Sequence, residues 1–375
     1  MLAGMTFPAK LALQQRVLPA YRAPFLTALA AACPAGLSVF AGPPLPVEGI
    51  TPVYTLSGAE LVHARNWYIK DPSSPLFLCW QAGFLRWLQT YQPQALVVEA
   101  NPRYPVTRLA IRWMHQRHRP VVGWGLGAPP LTGRLARLRQ WERLSFLRSL
   151  DAIIAYSRTG AEQYRQLGLP PERVFVATNA ADPAPQAPPP IRSSRFDEKP
   201  IILFVGRLQS RKRLDLLLHA CARLPAGLQP RLQVVGDGPA RDQFEVLARQ
   251  VYPRAEFVGA RHGPDLEPYF QAADLFVLPG TGGLAIQQAM ARALPVIVAL
   301  GDGTQDDLVR PANGWQVPPD DLDALTAALT AALSDPARLR QMGLESYRIV
   351  KEEVNVEAMV GVFVEVMNKV CASYS

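Results

Sequence analysis

The stretch that decides the fold runs from residue 201 to residue 214 and reads IILFVGRLQSRKRL. Its first five residues are apolar and predict a buried strand, which ends at Gly206. Apolar residues then recur at helical spacing, at Leu214, Leu217, Leu218 and Cys221. A buried strand followed directly by a helix is typical of a parallel sheet that is covered on both faces.

The same alternation of apolar runs and helical patterns extends along almost the whole chain. In the first half it predicts strands at residues 10–13, 37–41, 95–99, 120–124, 152–156 and 174–177. In the second half it predicts strands at residues 201–205, 232–235, 256–258, 275–278 and 296–299. Helical patterns separate most of these strands, so the sequence predicts an α/β fold built from two doubly wound domains.

A proline-rich stretch without apolar periodicity, residues 181–200, interrupts this pattern. We therefore predict an N-terminal domain at residues 1–182, a linker at 183–199 and a C-terminal domain at 200–350. The last segment, residues 351–375, is predicted to be a helix that packs back on the N-terminal domain.

Composition and charge narrow the class of protein. The 375 residues are 49% hydrophobic and carry a net charge of +8, which favours anionic partners such as nucleotides or anionic lipid. Nucleic acid is not expected, because the chain lacks the interleaved basic and aromatic residues of a base-stacking surface. No long apolar run and no signal-peptide pattern is present, so a cytoplasmic location is expected. The four cysteines lack metal-ligand spacing.

Arg207 and Lys212 place two cations close after a strand of the second half. Arg207 lies at the carboxyl end of the strand and Lys212 near the start of the next helix, where anions bind favourably. Two fixed cations can stabilise a diphosphate leaving group without a metal. The spacing alone is equally typical of a solvated basic loop, since Arg211 and Arg213 lie in the same stretch.

Two glycine-rich turns follow later strands. Glycine lets a backbone approach a ligand closely, and the turn at residues 280–284 opens a helix whose first amides suit a phosphate. Gln288 lies about one helical turn further on, where its amide can reach a ribose hydroxyl. The candidate nucleotide-binding residues are Gly206, Gly236, Gly238, Gly280, Thr281, Gly282, Gly283, Leu284 and Gln288.

The order of these motifs resembles the donor domain of the retaining GT-B glycosyltransferases, and more narrowly glycosyltransferase family 4. The motifs are VGRL and RKR, then GDGP, FVG, QAMARALPVIV, GDGTQDDLV and NGW. The similarity is strong over residues 201–333, and DAIIAYS at residues 151–157 extends it more weakly into the first half.

This resemblance implies two Rossmann-like domains and a UDP- or GDP-linked sugar donor. It also implies transfer of a hexosyl-type group to an acceptor hydroxyl with retention, without a cofactor or metal, in glycan, polysaccharide or glycolipid synthesis. By position it assigns Arg207 and Lys212 to the catalytic diphosphate pair. It assigns Gly282, Gly283 and Leu284 to the phosphate loop, and Gln288 to the ribose.

The chain departs from the family pattern at three positions. Gly280 and Gln288 stand where the family usually has two glutamates, and Leu126 stands in a loop where many relatives carry a histidine. Asp302 or Asp306 is a hypothetical substitute for the first glutamate. A catalytically inactive protein that binds nucleotide-sugars therefore stays open as an alternative.

The acceptor side depends on fewer residues. Glu99, Asn101 and Arg103 follow a strand of the first half and are candidates for binding an acceptor or the donor hexose. Ordinary polar loop residues explain them equally well. The acceptor that the resemblance implies is a glycan or a lipid-linked sugar.

Two charged segments have competing interpretations. Residues 134–150, RLARLRQWERLSFLRSL, form a basic amphipathic helix that either contacts the anionic inner face of a membrane or packs on the core with solvated arginines. Asp321 and Asp323 resemble a metal-binding pair, but capping of a helix N-terminus explains them more simply.

Overall fold

A computed structural model describes residues 5–48, 50–70, 74, 76–133, 135–196, 198–261, 263–282, 284–301 and 303–374. The chain divides into two compact units. The first unit comprises Met1–Pro183 and Val356–Ser375, and the second comprises Ala184–Asn355.

A parallel sheet of seven strands forms the centre of the first unit, in the order β3-β2-β1-β6-β7-β8-β9. Its strands are β1 (Leu11–Val17), β2 (Leu37–Gly42), β3 (Glu60–His63), β6 (Ala95–Glu99), β7 (Val121–Gly125), β8 (Ala152–Ala155) and β9 (Val174–Val176). The six strands predicted in this half are confirmed. β3 was missed because its side chains are exposed or half-buried, so it contains no buried apolar run.

An antiparallel ribbon of two strands, β4 (Arg65–Ile69) and β5 (Leu78–Ala82), lies outside the main sheet. The sequence analysis did not predict it. The helices that follow the strands of this unit are α1 (Ala23–Ala32), α2 (Phe84–Tyr91), α3 (Pro105–His115), α4 (Ala136–Arg148) and α5 (Arg158–Gln166). Two hydrophobic clusters, one on each face, bury the central strands.

The second unit contains a parallel sheet of six strands in the order β12-β11-β10-β13-β14-β15. The strands are β10 (Ile201–Val205), β11 (Arg231–Val235), β12 (Ala255–Gly259), β13 (Leu275–Leu278), β14 (Val296–Ala299) and β15 (Gly314–Val317). All five strands predicted here are confirmed. β15 was missed because a glycine opens it and Gln316 interrupts its apolar run.

Seven helices of the second unit lie between and after these strands. They are α6 (Leu214–Arg223), α7 (Arg241–Val251), α8 (Glu267–Ala272), α9 (Leu284–Met290), α10 (Thr304–Leu308), α11 (Leu322–Ser334) and α12 (Pro336–Glu352). One hydrophobic cluster of buried strand and helix residues holds the unit together. The α/β fold with two Rossmann-like units is therefore present in the structure.

The last helix, α13 (Val356–Ala372), returns to the first unit. The Phe363 ring lies 4.9 Å from the Phe25 ring and 5.1 Å from the Trp124 ring, centroid to centroid. α13 therefore covers the same face of the sheet as α1. Residues 351–355, which the sequence analysis grouped with this helix, belong to the second unit.

The stretch predicted to be a linker packs on the second unit. The Arg192 guanidinium donates to the carbonyl oxygens of Phe270, Ala273 and Arg292 at 2.9, 3.0 and 2.7 Å. Its own sequence lacks periodicity because hydrogen bonds to folded neighbours, and not a repeat within the segment, hold it in place. Across the described ranges, no helix combines the length and the apolarity that crossing a bilayer requires.

Candidate functional site

The two sheets share a topological feature that marks where ligands bind. In each sheet, the first strands are added on one side of the first strand, and the later strands are added on its other side. β1 therefore lies between β2 and β6, and β10 lies between β11 and β13. The crevice at the carboxyl ends of the two strands beside such a switch is the usual ligand site of an open α/β sheet. The candidate residues lie at both switches.

Lys212 joins the strand ends at the switch of the second unit. It closes a short turn after β10, and its ammonium group donates to the carbonyl oxygen of Thr281, after β13, at 2.6 Å. Its side chain passes Gly206, because a Cβ placed on that glycine would lie 3.8 Å from Lys212 Cε. Three predicted site residues from two separate stretches of the sequence, Gly206 and Lys212 from one and Thr281 from the other, therefore meet.

The surroundings of Lys212 lower the pKa of its ammonium group. Burial, and then the nearby charge of Arg211, lower the pKa of Lys212 to about 8. Arg211 reinforces the junction, since its guanidinium donates to Thr281 Oγ1 at 3.2 Å and its carbonyl oxygen accepts from the Thr281 amide at 3.1 Å. Arg207, the other predicted cation, lies exposed directly after β10.

The glycines of the 280–282 turn leave room for this junction. A Cβ on Gly280 would come within 3.0 Å of the carbonyl oxygen of Arg211 and of the Lys212 backbone. Gly282 has a φ of +138° and faces the Lys212 ammonium group, which a Cβ there would contact at under 3.0 Å. The position that lacks the family's first glutamate is therefore closed to any side chain in this arrangement.

Gly236 and Gly238 let one loop of the chain pack against another. A Cβ on either would come within 3.0 Å of the backbone of Gly206 or Leu208. The Gly236 amide donates to the Gly259 carbonyl oxygen at 2.9 Å, and the Gly238 amide donates to Asp237 Oδ1 at 2.7 Å. The close approach that these glycines permit is thus to the chain's own loop after β10. Their predicted contact with a donor stays a prediction.

The remaining predicted donor residues lie nearby in sequence or outside the described residues. Leu284 opens α9 and Gln288 lies within it, both half-buried. Gly283 and Asp302 lie outside the residues that the structure describes, while Asp306 is half-buried in α10.

Gln305 is a further residue beside the site that was not predicted from the sequence. It is buried and donates from Nε2 to the Gly282 carbonyl oxygen at 3.3 Å. Its place in the GDGTQDDLV motif was the available signal.

Glu99 occupies the switch of the first unit, at the end of β6. Its Oε1 accepts a hydrogen bond from the Arg16 amide at 2.9 Å, and its own amide donates to Gln14 Oε1 at 3.1 Å, so β1 and β6 are linked there. Burial raises the pKa of Glu99, while the Arg16 amide and the Tyr104 hydroxyl lower it. This carboxyl is suited to accept hydrogen bonds from hydroxyl groups.

A cavity of about 760 Å³ opens beside Glu99 in the first unit. Asn101 and Arg103 line it as well, and Asn101 Oδ1 accepts from the Arg103 amide and from Arg103 Nε, both at 3.2 Å. The three predicted acceptor residues therefore share one cavity. Leu126, which replaces the histidine of many relatives, also lines it.

Arg22 is a buried cation that the sequence analysis missed. Its side chain is 3% exposed, and its guanidinium carbon lies 4.2 Å from the Trp124 ring centroid and 5.0 Å from that of Tyr156. Arg22 Nη1 donates to Asn179 Oδ1 at 2.6 Å. Both aromatic rings line the cavity, so Arg22 supports its wall from behind.

Helix α4 does not pack its whole apolar stripe on the core. Phe146 and Leu147 are buried, but Leu135, Leu138 and Trp141 are 56%, 61% and 68% exposed. An apolar stripe that faced the core would be buried. The expectation of a core-facing helix with only its arginines solvated is therefore wrong for its first two turns.

The Asp321–Asp323 pair acts as a helix cap. Asp321 Oδ1 accepts from the Ala324 amide at 2.8 Å, and Asp323 pairs with Arg223 at 2.7 Å. This confirms the capping interpretation.

Across the described residues, no group of three or more histidine, cysteine, aspartate or glutamate side chains is placed to hold a metal ion.

Two family models match this chain. The model of glycosyl transferases group 1 matches residues 199–335, and that of Glycosyltransferase Family 4 matches residues 41–185. The chain belongs to the family 4 glycosyltransferases.

Among curated relatives of this chain, the GDP-mannose-dependent alpha-mannosyltransferase of Mycobacterium tuberculosis is 33% identical over 198 residues. That match covers 50% of this chain and 49% of the relative. The lipopolysaccharide core biosynthesis glycosyltransferase LpsE of Rhizobium meliloti is 24% identical over 273 residues, which cover 69% and 79% of the two chains. Three others are matched over only 47%, 37% and 27% of their length, so the chain spans about half or less of several relatives.

Solved structures show that this chain has the GT-B fold. The sucrose-phosphate synthase of Thermosynechococcus elongatus has a TM-score of 0.74 at 21% identity, with 97% of this chain and 99% of that chain covered. HepE of Anabaena, in complex with UDP, has a TM-score of 0.70 at 16% identity, with 96% and 99% covered.

Proposed function

We propose that the protein transfers a hexosyl-type group from a UDP- or GDP-linked sugar to an acceptor hydroxyl, with retention of anomeric configuration. The single observation that carries the proposal is the junction made by Lys212 between the loops after β10 and β13. It places a cation at the switch point of the second sheet, where an α/β sheet binds its ligand. Family membership supports the class of reaction.

The proposed chemistry is electrostatic. Arg207 and Lys212 bind the diphosphate, whose negative charge grows as the bond between the anomeric carbon and the diphosphate oxygen breaks. The acceptor oxygen bonds to that carbon on the same face, and its proton passes to the departing diphosphate oxygen. With a pKa of about 8, Lys212 is mostly protonated at pH 7, so it is available as a cation for this step.

The cavity of the first unit is proposed to bind the acceptor. The Glu99 carboxyl accepts a hydrogen bond from an acceptor hydroxyl, and Asn101 with Arg103 fixes the neighbouring groups. The relatives named above include a lipopolysaccharide core biosynthesis glycosyltransferase and a GDP-mannose-dependent alpha-mannosyltransferase, which supports a glycan or lipid-linked acceptor.

Calorimetric titration with UDP and with GDP tests the donor site. We expect Arg207→Ala and Lys212→Ala each to weaken the binding of the preferred nucleotide by about tenfold or more, because each removes a charge-assisted contact of about 1.5–3 kcal/mol. Arg223→Ala is the matched control, since Arg223 is a half-exposed arginine of the same unit that pairs with Asp323. Unchanged affinity in both site variants would rule out the diphosphate pair.

Turnover separates the two functional alternatives. Purified protein is incubated with a panel of UDP- and GDP-sugars and an extract of candidate acceptors, and release of the nucleotide is followed. Nucleotide release that depends on acceptor supports the transferase. Tight nucleotide binding without release on any donor would instead support an inactive nucleotide-sugar-binding protein.

A further inference from the structure

Arg16 is the extra residue of a bulge near the carboxyl end of β1. The pairing of β1 with β2 runs up to Gln15 and then shifts before Val17, so Arg16 has no partner in β2. On the other side of β1, the pairing with β6 ends at Leu13. The Arg16 amide donates instead to Glu99 Oε1, at 2.9 Å. A bulge of this kind changes the direction of the groups that it carries, and here it directs a main-chain donor at a carboxyl group.

Glu48 anchors the side chain of Arg16. Arg16 Nη1 donates to Glu48 Oε2 at 3.1 Å, and Nη2 donates to Oε1 at 2.5 Å. Glu48 Oε2 also accepts from the Leu45 amide at 2.8 Å, so the carboxylate is itself held by the main chain. Both side chains of the pair are only 14% exposed. Because two parallel hydrogen bonds fix direction as well as distance, Glu48 determines where Arg16 lies.

The carbonyl group of Arg16 is held as well. Its oxygen accepts from Asn66 Nδ2 at 2.8 Å, and Asn66 Oδ1 in turn accepts from Gln81 Nε2 at 3.0 Å. The side chain and the carbonyl group of Arg16 therefore have fixed partners on β4, β5 and the turn that contains Glu48. The direction of the remaining group, the amide, follows from these two anchors.

Stability alone does not account for the pair of Arg16 and Glu48. Burial raises the pKa of Glu48, but the hydrogen bonds from Arg16 and from the Leu45 amide outweigh it, so the pKa is lowered and the carboxyl group is ionised at neutral pH. Desolvation of two buried charges offsets much of their attraction. A pair that adds little net stability and fixes the amide beside Glu99 acts mainly through geometry.

Glu99 is the group that this geometry affects. It lines the cavity of the first unit, and the Arg16 amide and the Tyr104 hydroxyl both donate to its carboxyl group. The titratable and charged groups that face it are Arg16, Arg22, Cys79, Tyr104 and Tyr156. Loss of the Arg16 donor favours the protonated carboxyl, which accepts hydrogen bonds less well than the carboxylate.

We infer that Glu48 is a positioning residue of the acceptor site: through Arg16 it directs a main-chain amide at Glu99 and keeps that carboxylate oriented towards an acceptor hydroxyl. The assignment of Glu99 to the acceptor rests on the proposed function. The coupling of Glu48 to Glu99 rests on the hydrogen bonds alone, so it is measurable without a substrate.

Infrared difference spectroscopy of the full chain during a pH titration tests the coupling. The protonated carboxyl group of Glu99 gives a band that Glu99→Gln lacks. In Glu48→Ala we expect the midpoint of this band to rise by about one pH unit, equivalent to about 1.4 kcal/mol, because the carboxylate loses a hydrogen bond. Glu48→Gln keeps an oxygen for Arg16 and should give a smaller rise. Glu353→Gln is the matched control, because Glu353 forms the same kind of pair with Arg310 in the second unit, at 3.2 and 2.6 Å.

The direction of the shift separates positioning from the removal of a charge. Both variants of Glu48 delete a negative charge, which by itself would lower the midpoint of Glu99. A lower or unchanged midpoint in both variants would overturn the inference, and so would an equal rise in Glu353→Gln. A lower melting temperature without a higher midpoint would assign the pair of Arg16 and Glu48 to stability alone.

Acceptor-dependent release of nucleotide distinguishes this inference from the proposed function. The acid limb of the pH profile should move to higher pH in Glu48→Ala, because Glu99 must be ionised to accept the hydroxyl. UDP and GDP affinity should stay unchanged, since Lys212 lies in the second unit. A raised midpoint without turnover on any donor would overturn only the transfer. Turnover with an unchanged profile and midpoint would overturn only the role of Glu48.

Discussion

At Gly280, close packing of the neighbouring backbone leaves no room for a side chain. The backbone of Arg211 and Lys212 fills the space where a Cβ at position 280 would lie. A single change to glutamate cannot restore the usual family residue, because the turn that carries Lys212 would have to move. The glycine at position 280 and the observed position of Lys212 therefore depend on each other, because the Lys212 backbone occupies the space that a side chain at position 280 would need.

We expect Gly280→Ala to destabilise the second unit by about 1–3 kcal/mol, because the added methyl group forces the 209–212 turn away from the 280–282 turn. UDP or GDP affinity should fall as well, since Lys212 moves with that turn. Urea unfolding and nucleotide titration measure the two effects. Gly227→Ala is the control, because nothing lies within 4 Å of a Cβ there. Equal stability of the two variants would contradict the steric argument.

At the scale of elements, the ribbon reverses the usual relation between burial and polarity. Gln81 is fully buried and donates to Asn66 and to the Gln15 carbonyl oxygen, while Trp80, its neighbour in sequence, is 45% exposed. The stability of the ribbon therefore depends on its amides more than on its tryptophans.

Gln81→Ala should cost about 1–3 kcal/mol of stability, because it leaves Asn66 and the Gln15 carbonyl oxygen buried without their donor. Trp80→Ala should change stability by less than about 0.5 kcal/mol, as an exposed substitution does. Thermal unfolding of both variants, side by side, makes the comparison. A larger loss for Trp80→Ala than for Gln81→Ala would show that the tryptophan face is packed in the folded protein.

Most of the strands that the sequence predicted are buried on both faces, and the strands of the ribbon are not. Residues 95–98 and 275–278, for example, form continuous apolar runs, and a continuous apolar run predicts a strand that is buried on both faces, as these are. In β4 and β5 the apolar residues point outward, and apolar periodicity cannot tell which face is buried.

The site residues near Arg207 were found from motifs. The hydrogen bond from Lys212 to Thr281, however, joins positions 69 apart in the sequence and appears only in the folded chain. Arg22 was missed for the same reason, since Trp124, Tyr156 and Asn179 reach it only through the sheet.

At the scale of the whole molecule, the chain leaves its first unit, completes the second and returns through α13 to close the first. The core of the first unit is therefore incomplete until the last helix is in place. Phe363 is fully buried between Phe25 and Trp124, almost 340 residues after Phe25. The stability of the first unit thus depends on residues beyond the second.

Phe363→Ala should destabilise the first unit by about 3–5 kcal/mol, because it opens a cavity beneath α1 and β7. Hydrogen exchange should then accelerate in β1, α1 and β7, while β10, β11 and β13 keep their protection, since each unit has its own hydrophobic core. Phe244→Ala, which removes a buried ring of α7, is the matched control and should show the opposite distribution. If Phe363→Ala accelerated exchange equally in both sheets, the two units would unfold as one, and α13 would stabilise the whole chain and not only the unit whose core it completes.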